Sequence, residues 1–551
     1  MSGWVAWMMP HLMVAPILLP MLTAAVLLLM GEGRRPVKAT LSVGSAVLGL
    51  AVSVELLGWV ETCGRVVYLP GNWPAPFGIA LVADRLAVLM LVLTSLVGLC
   101  ALLFAAARWD KAGVHFYPLM QLQLMGLSGA FLTGDLFNLF VFFEIMLAAS
   151  YGLLLHGSGR PRVRASVHYV AINLAASSLF LIGASMLYGV TGTLNMADLS
   201  LRAALVPEGD RGLFHAAAGI LAVAFLAKAA AWPLNFWLVP AYTAATAPVA
   251  GFFALLTKVG VYALLRMWTL LFSEGPSAGV GSDGLLLLGL VSGGLGALGM
   301  LGSQRLGHLA AYSVVVSAGT LVAAMSFGRW ALTGGALFYL LSSTLAAAAL
   351  FLLIDLVERW RNSGATVDDV APFLNPSLQG DQAFNLDDDE ERLVGRPFPA
   401  STALLGLGFM TCTLLVAGLP PLSSFVGKLG MLSGALGVER DGAGVSWRAW
   451  NLVLLLLGGG LASLIAMTRT GIRLFWSAPP REPPRLRLAE GLPVAALLGA
   501  CLALTAGAGP AMAYMNETAQ ALHAPRAYVD AVLEEPTVTR GQRLGGRCVA
   551  P

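Results

Sequence analysis

The stretch TGDLFNLFVFFEIMLAASYGLLLH, Thr133 to His156, decides the fold. It is long and apolar enough to cross a bilayer as one helix. Near its middle sits one carboxylate, Glu144. A charge at bilayer depth costs about 2.5–3.5 kcal/mol on insertion scales. Cations in other apolar segments would offset that cost. Three such segments each hold one lysine: Lys228, Lys258 and Lys428. The four residues together suggest an ionisable path through a membrane transporter.

The rest of the composition agrees. The chain has 551 residues, of which 57% are hydrophobic and 11% charged, and its mean hydropathy is +0.78. A soluble chain would carry roughly 25% charge. The sequence is therefore read as an all-α polytopic membrane protein. A net charge of +3 gives no reason to expect nucleic acid or an acidic substrate. The cysteines (Cys63, Cys100, Cys412, Cys501, Cys548) have no CxxC spacing, which argues against zinc or an iron–sulfur centre. Cys63 and Cys548 fall in loops assigned to the same side and could pair. There is no P-loop, no GxGxxG after a strand, no nucleophile elbow and no HExxH. No cofactor or metal is expected, and no enzyme active site is supported.

Apolar runs of about 20 residues give about 14 spans. In order they fall at about 4–30, 39–60, 86–107, 116–133, 137–156, 166–190, 213–238, 244–272, 284–302, 308–326, 332–357, 401–435, 449–475 and 492–514. The N-terminus lacks a basic region and a cleavage site, so it is read as a retained first helix. The loop after span 2, ETCGRVVYLPGNWPAPFGIALVADR, reads as an extended or hairpin excursion. The polar stretch from Glu358 to Pro399 reads as a flexible loop, and a polar tail of about 37 residues ends the chain. Loops after odd-numbered spans hold about 18 Lys and Arg, against about 7 after even-numbered spans. The positive-inside rule places the first set in the cytoplasm and both termini outside. Trp4, Trp7, Trp330 and Trp476 read as interfacial belt residues.

Two spans contain proline breaks. Lys228 precedes Pro233 in FLAKAAAWPLNFW, and Lys428 follows Pro420-Pro421 in LVAGLPPLSSFVGKLG. Broken helices in mirrored order are what an inverted repeat produces, and they free backbone carbonyls for ions. Spans 4–8 and 9–13 are the expected repeats. The chain then divides into 1–110 (spans 1–3), 111–275 (first repeat), 276–357 (spans 9–11), 358–400 (polar loop), 401–476 (spans 12–13) and 477–551 (span 14 and tail). A desolvated lysine titrates nearer the working pH, and a carboxylate that moves toward or away from it would load or release a proton. The bland alternative is a set of static ion pairs that only fix helix packing. Auxiliary candidates carry less weight. His168 in span 6 could assist the path, and His308 at the start of span 10 could sit at a proton entrance. Asp135 opens span 5, where an acid suits a helix N-terminus.

The residues now quoted resemble a known family. GAFLTGDLFNLFVFFEIMLAASYGLL, LYGVTGTLNMADLS, FLAKAAAWPLNFWLVPAYTAATAPVAGFFALLTKVGVYALLRM, RLGHLAAYS and GLPPLSSFVGK are similar to the D subunit of multisubunit Mrp-type (Pha, Mnh) cation/proton antiporters. That family shares a superfamily with the antiporter-like chains of respiratory complex I. The resemblance implies 14 helices and two inverted five-helix repeats. It implies that Glu144 pairs with Lys228, that Lys258 relays, and that Lys428 ends a lateral path. It also implies partners: a large A-type chain, small membrane subunits, H+ and Na+ or K+, in a bacterial inner membrane. Where relatives often carry a histidine after the span 7 proline this chain has Asn235. On span 10, AYSVVVSAG offers Ser317 for another. The other functions in view are a proton-pumping chain of a redox complex (complex I or a membrane-bound hydrogenase) and an assembly scaffold.

Overall fold

The computed structural model describes residues 10–362, 399–437, 445–475 and 486–537. Trp4, Trp7, Trp476, Cys548 and most of the 358–400 loop lie outside the described residues. Apart from one hairpin, the regular structure is helical: α1 (Ala15–Leu29), α2 (Arg35–Cys63), β1 (Val66–Tyr68), β2 (Leu81–Ala83), α3 (Arg85–Ala107), α4 (Phe116–Leu132), α5 (Leu136–Leu155) and α6 (Arg160–Thr191) come first. Then follow α7 (Met196–Leu205), α8 (Arg211–Lys228), α9 (Leu238–Ala244), α10 (Ala247–Phe272), α11 (Ser282–Gly302), α12 (Leu306–Met325) and α13 (Trp330–Asn362). The remainder is α14 (Ala400–Ala417), α15 (Ser423–Leu436), α16 (Trp447–Phe475), α17 (Leu488–Ala506), α18 (Ala508–His523) and α19 (Arg526–Leu533).

Twelve of these helices are long and apolar enough to cross a membrane. Predicted spans 1 and 4 are the shorter α1 and α4, with 15 and 17 residues. Predicted span 12 is two pieces, α14 and α15, separated by the turn at Gly418–Leu422. Every predicted span thus has its helix. The two repeats pack alike: α4 lies on α5 and α6 on α8, as α11 lies on α12 and α13 on α15. Five spans is an odd number, so the second repeat starts on the opposite side from the first.

The centre is α10, α12 and α13, which pack on one another and are almost wholly buried. α10 is apolar all round except for Lys258 and Arg266, as a helix enclosed by other helices should be. Gly260 lets α10 approach α8 closely: a Cβ there would lie 2.6 Å from Ala229 N and 2.7 Å from Phe225 O at the end of α8. The outer helices keep apolar side chains such as Leu48, Leu181 and Leu298 exposed.

One face of the bundle is closed by the hairpin, with Val66 opposite Ala83. Leu81 bridges to Thr133 and Asp135 to Asn195, so the start of α5 belongs to this hairpin face. Two readings need correction here. The polar connection after span 6 contains a helix, α7. The tail also begins with two helices, α18 and α19. The burial of Met515, Thr518, Ala519 and Leu522 at helical spacing explains α18. That amphipathic pattern is too short to register as a span. Cys63 is disulfide-bonded, while Cys100, Cys412 and Cys501 are free and buried.

Under the hairpin sits a buried ion pair. Asp84 caps α3 by accepting from the Ala87 N–H at 2.9 Å. Its two oxygens also accept from Arg266 of α10 at 2.6 and 2.8 Å. The guanidinium lies 5.2 Å from the Tyr528 ring centroid of α19, so the pair ties hairpin, core and C-terminal helix together. Burial alone would raise the Asp84 carboxyl, but Arg266 prevails and holds it below the usual carboxylate range. The stabilisation therefore persists at neutral pH and fades only as pH falls through that lowered value. Removing one partner strands a buried charge, at about 3–5 kcal/mol. Arg266→Met should accordingly lower the melting temperature of the purified protein sharply. Asp84→Leu combined with Arg266→Met should recover most of the loss.

Candidate functional site

Glu144 stands near the middle of α5 and is half-buried. The expected ion pair to Lys228 is not formed: none of the ion pairs among the described residues joins them. Glu144 instead accepts a hydrogen bond from Ser177 of α6. Lys228 is the last residue of α8 and is 5% exposed. Its Nζ has no hydrogen-bond partner among the described residues and lies 5.4 Å from the centroid of the Phe143 ring. The α8 break comes earlier than Pro233, directly after Lys228. Ala230 has φ of 54°, and Trp237 Nε1 donates to the freed Ala227 carbonyl at 3.2 Å.

Lys258 lies mid-way along α10, 1% exposed. Nζ donates to Ser317 Oγ of α12 at 2.7 Å, and Ser317 lies 2.9 Å from Ser343 Oγ of α13. Ser317 therefore receives the ammonium, and the hydroxyl pair extends the polar contact across the centre of the bundle.

Lys428 is half-buried on the first turns of α15. Nζ donates to the Ala417 carbonyl at 2.7 Å. That carbonyl is the last of α14, so the cation sits at a helix C-terminus, where the dipole favours it. The turn at Gly418–Leu422 interrupts the span and leaves the Ala417 carbonyl open to Lys428. Beside the Ser317–Ser343 pair lies a cavity of about 10 Å³, lined also by Tyr339, Leu415, Val416 and Ser463. That is about the space one water needs. The structure thus brings Lys258, Ser317 and Ser343 to one polar file, which reaches the last turn of α14, and Lys428 meets the end of the same helix at Ala417. It does not bring Glu144 or Lys228 into direct contact with that file.

Opposite the hairpin face opens a vestibule of about 1580 Å³. Arg160, Arg164, Arg305, His308, Asp355 and Glu358 are among its lining residues. His308 is half-buried there, at the start of α12. His168 is on the vestibule rim and exposed, with Nδ1 3.0 Å from Arg164 O, so it is off the lysine file. Asp135 is the N-cap of α5 and accepts from Asn138 N at 2.9 Å, the structural role its position suggested.

The family described as NADH:quinone oxidoreductase/Mrp antiporter, TM, matches residues 133–376, starting at the first residue of the Glu144 stretch. A relative from Rhizobium meliloti (strain 1021), named as the D subunit of a probable K(+)/H(+) antiporter, is 49% identical over 545 residues, covering 97% of this chain and 99% of that protein. The chain belongs to the family of Mrp-type antiporter D subunits. A second member, the Na(+)/H(+) antiporter D subunit of Alkalihalophilus pseudofirmus (strain ATCC BAA-2126 / JCM 17055 / OF4), is 33% identical, covering 96% of this chain and all (100%) of that protein. The solved Mrp complex from Dietzia sp. DQ12-45-1b contains a chain that matches this one with a TM-score of 0.79 at 26% identity, covering 95% and 99% of the two chains. The family therefore accounts for almost the whole length of this chain.

Three contributors were not picked out from the sequence: Ser177, Ser343 and the Phe143 ring. Serines in apolar helices usually bond back to their own helix, so nothing in the spacing singles out those two. Gly460 of α16 is a sharper test of the Lys428 contact. A Cβ there would lie 2.8 Å from Ala417 O and 3.2 Å from Lys428 Nζ. Alanine in a helix interior is otherwise favoured over glycine by roughly 0.5–1 kcal/mol. Gly460→Ala should therefore reduce cation-dependent proton exchange in vesicles by displacing the ammonium, without loss of the chain from the membrane.

Proposed function

We propose that this chain serves as the D subunit of a secondary antiporter. It carries protons along a buried path through Glu144, Lys228, Lys258 and Lys428 while Na+ or K+ moves the other way. The observation that carries the reading is the chain of contacts from Lys258 through Ser317 and Ser343 to a small cavity at the last turn of α14, the helix whose final carbonyl receives Lys428. Three lysines at bilayer depth are costly to keep for packing alone. A hydroxyl, a backbone carbonyl and an aromatic face hold an ammonium more loosely than a carboxylate would, so each lysine can give up its proton. The vestibule supplies water access on the opposite side from the hairpin. The relatives from Rhizobium meliloti and Alkalihalophilus pseudofirmus are named for K(+)/H(+) and Na(+)/H(+) exchange, and the higher identity to the former puts K+ first among the cations to test.

The chain would work within a complex that holds a large A-type chain and small membrane subunits. Its setting would be a bacterial inner membrane, with both termini on the periplasmic side. The charge asymmetry of the loops supports that orientation. In that orientation the vestibule would open to the cytoplasm. No step of this transport requires catalysis by the chain, so it is read as part of a transporter rather than as an enzyme.

Lys428→Ala should abolish cation-dependent proton exchange in everted vesicles while the complex still assembles, as judged by co-purification of its subunits. Lys228→Ala should do the same. Wild-type exchange by assembled complexes carrying either substitution would instead make the lysines a packing scaffold. Comparing K+ with Na+ in the same assay identifies the cargo.

A further inference from the structure

The contact between α5 and α6 contains an arrangement that the Glu/Lys path alone does not explain. Glu144, the expected counter-ion of Lys228, is held by a different residue. Ser177 is buried on α6 and donates to a Glu144 carboxylate oxygen. Lys228 is left with the Phe143 ring. Phe143, Phe180 and Phe225 form a closed triad, with centroids 5.4 to 6.2 Å apart and all three contacts edge-to-face. Each ring is paired with one polar residue. Phe143 precedes Glu144, Phe180 is one turn beyond Ser177, and Phe225 is one turn before Lys228. α5 starts at the hairpin face, α6 ends there, and α8 runs away from it, so every ring lies on the hairpin side of its polar neighbour. The aromatic triad walls off the polar one on that side. The carboxylate is thus held by Ser177 and makes no ion pair with Lys228.

We propose that Ser177 is a latch, a positioning residue whose hydroxyl holds Glu144 apart from Lys228 and whose release allows the two charges to pair. Ser177 has a second acceptor within its own helix. A helical serine can donate to the carbonyl four residues back, as the adjacent Ser178 does to Leu174 O at 3.1 Å. For Ser177 that carbonyl belongs to Asn173. The hydroxyl can therefore switch between Glu144 and Asn173 without stranding a donor, and Glu144 can switch between Ser177 and Lys228. The titratable groups facing this site are few. Besides Lys228 from α8, α5 brings Tyr151, and α6 brings Tyr169, whose hydroxyl is bonded to Ser150 at 2.8 Å. α4 meets α5 through Gly126 and Gly129 and carries no charge. α10 touches the end of α8 at Gly260, but its Lys258 is turned to Ser317.

The inference rests on the proposed role of Glu144 and Lys228, and the test separates the two. Cation-dependent proton exchange is measured against pH in everted vesicles that carry the full complex, for the wild type, Ser177→Ala and Ser177→Thr. Without the latch Glu144 spends more time paired, and a lysine paired with a carboxylate releases its proton at higher pH. Ser177→Ala should therefore move the pH of half-maximal exchange upward by about one unit, tenfold in proton activity. Ser177→Thr, which keeps the hydroxyl, should restore the wild-type profile. A packing role would lower the rate without moving the profile. Should the alanine variant fail to accumulate, Ser177→Cys, a similar shape with a weaker donor, should move it in the same direction. A Ser177→Ala profile that superimposes on the wild type overturns the latch. Glu144→Gln and Lys228→Leu are assayed in parallel. Full exchange in both overturns the underlying path, whereas loss in both with an unmoved Ser177→Ala profile overturns the latch alone.

Discussion

A lysine in hydrocarbon needs something to face, and the arrangement of this bundle follows from how three lysines are accommodated. Bilayer lipid offers an ammonium nothing. Each lysine is therefore placed where protein supplies a different surface: an aromatic face for Lys228, a serine hydroxyl for Lys258, and a helix-terminal carbonyl for Lys428. Both helix breaks are positioned by the same requirement. α8 stops at Lys228, and α14 stops where its last carbonyl can meet Lys428. By contrast, Arg266 has a full bidentate carboxylate partner. It behaves as structure, and the contrast separates static from labile charges within one helix, α10.

Much of this was readable from residue type and spacing. The membrane class, the order of the spans, the hairpin and the two proline-linked breaks all rest on patterns that extend over many residues. Glu144 and the three lysines were legible because a charge in an apolar run is conspicuous. Contacts between spans were not. Ser177 and Ser343 look like any small polar residue on a helix, and their roles come from which face meets which neighbour. Arg266 is a charge in an apolar run as well, but its neutralising Asp84 lies 182 residues away behind the hairpin. α18 and α19 read as tail because their stability comes from docking on α13, on the hairpin and on α7, not from hydrophobic length.

The family relationship sharpens the chemistry without replacing it. Membership accounts for almost the whole chain length. It does not dictate that Ser317 should receive Lys258, or that Ser177 should hold Glu144. Those come from this chain's own side chains. The aromatic triad beside Lys228 and the vestibule on the other side give the first repeat a closed and an open end, a polarity that any directional exchange requires.

The enclosure of α10 also bears on how the chain is made. Lys258 faces Ser317, a residue 59 positions later in the chain. During synthesis α10 must leave the translocon before α12 exists to receive its ammonium. Until then Lys258 lacks the hydroxyl that receives it in the finished bundle. A chain interrupted after α10 would keep a lysine in its most enclosed helix without the partner that the second repeat supplies.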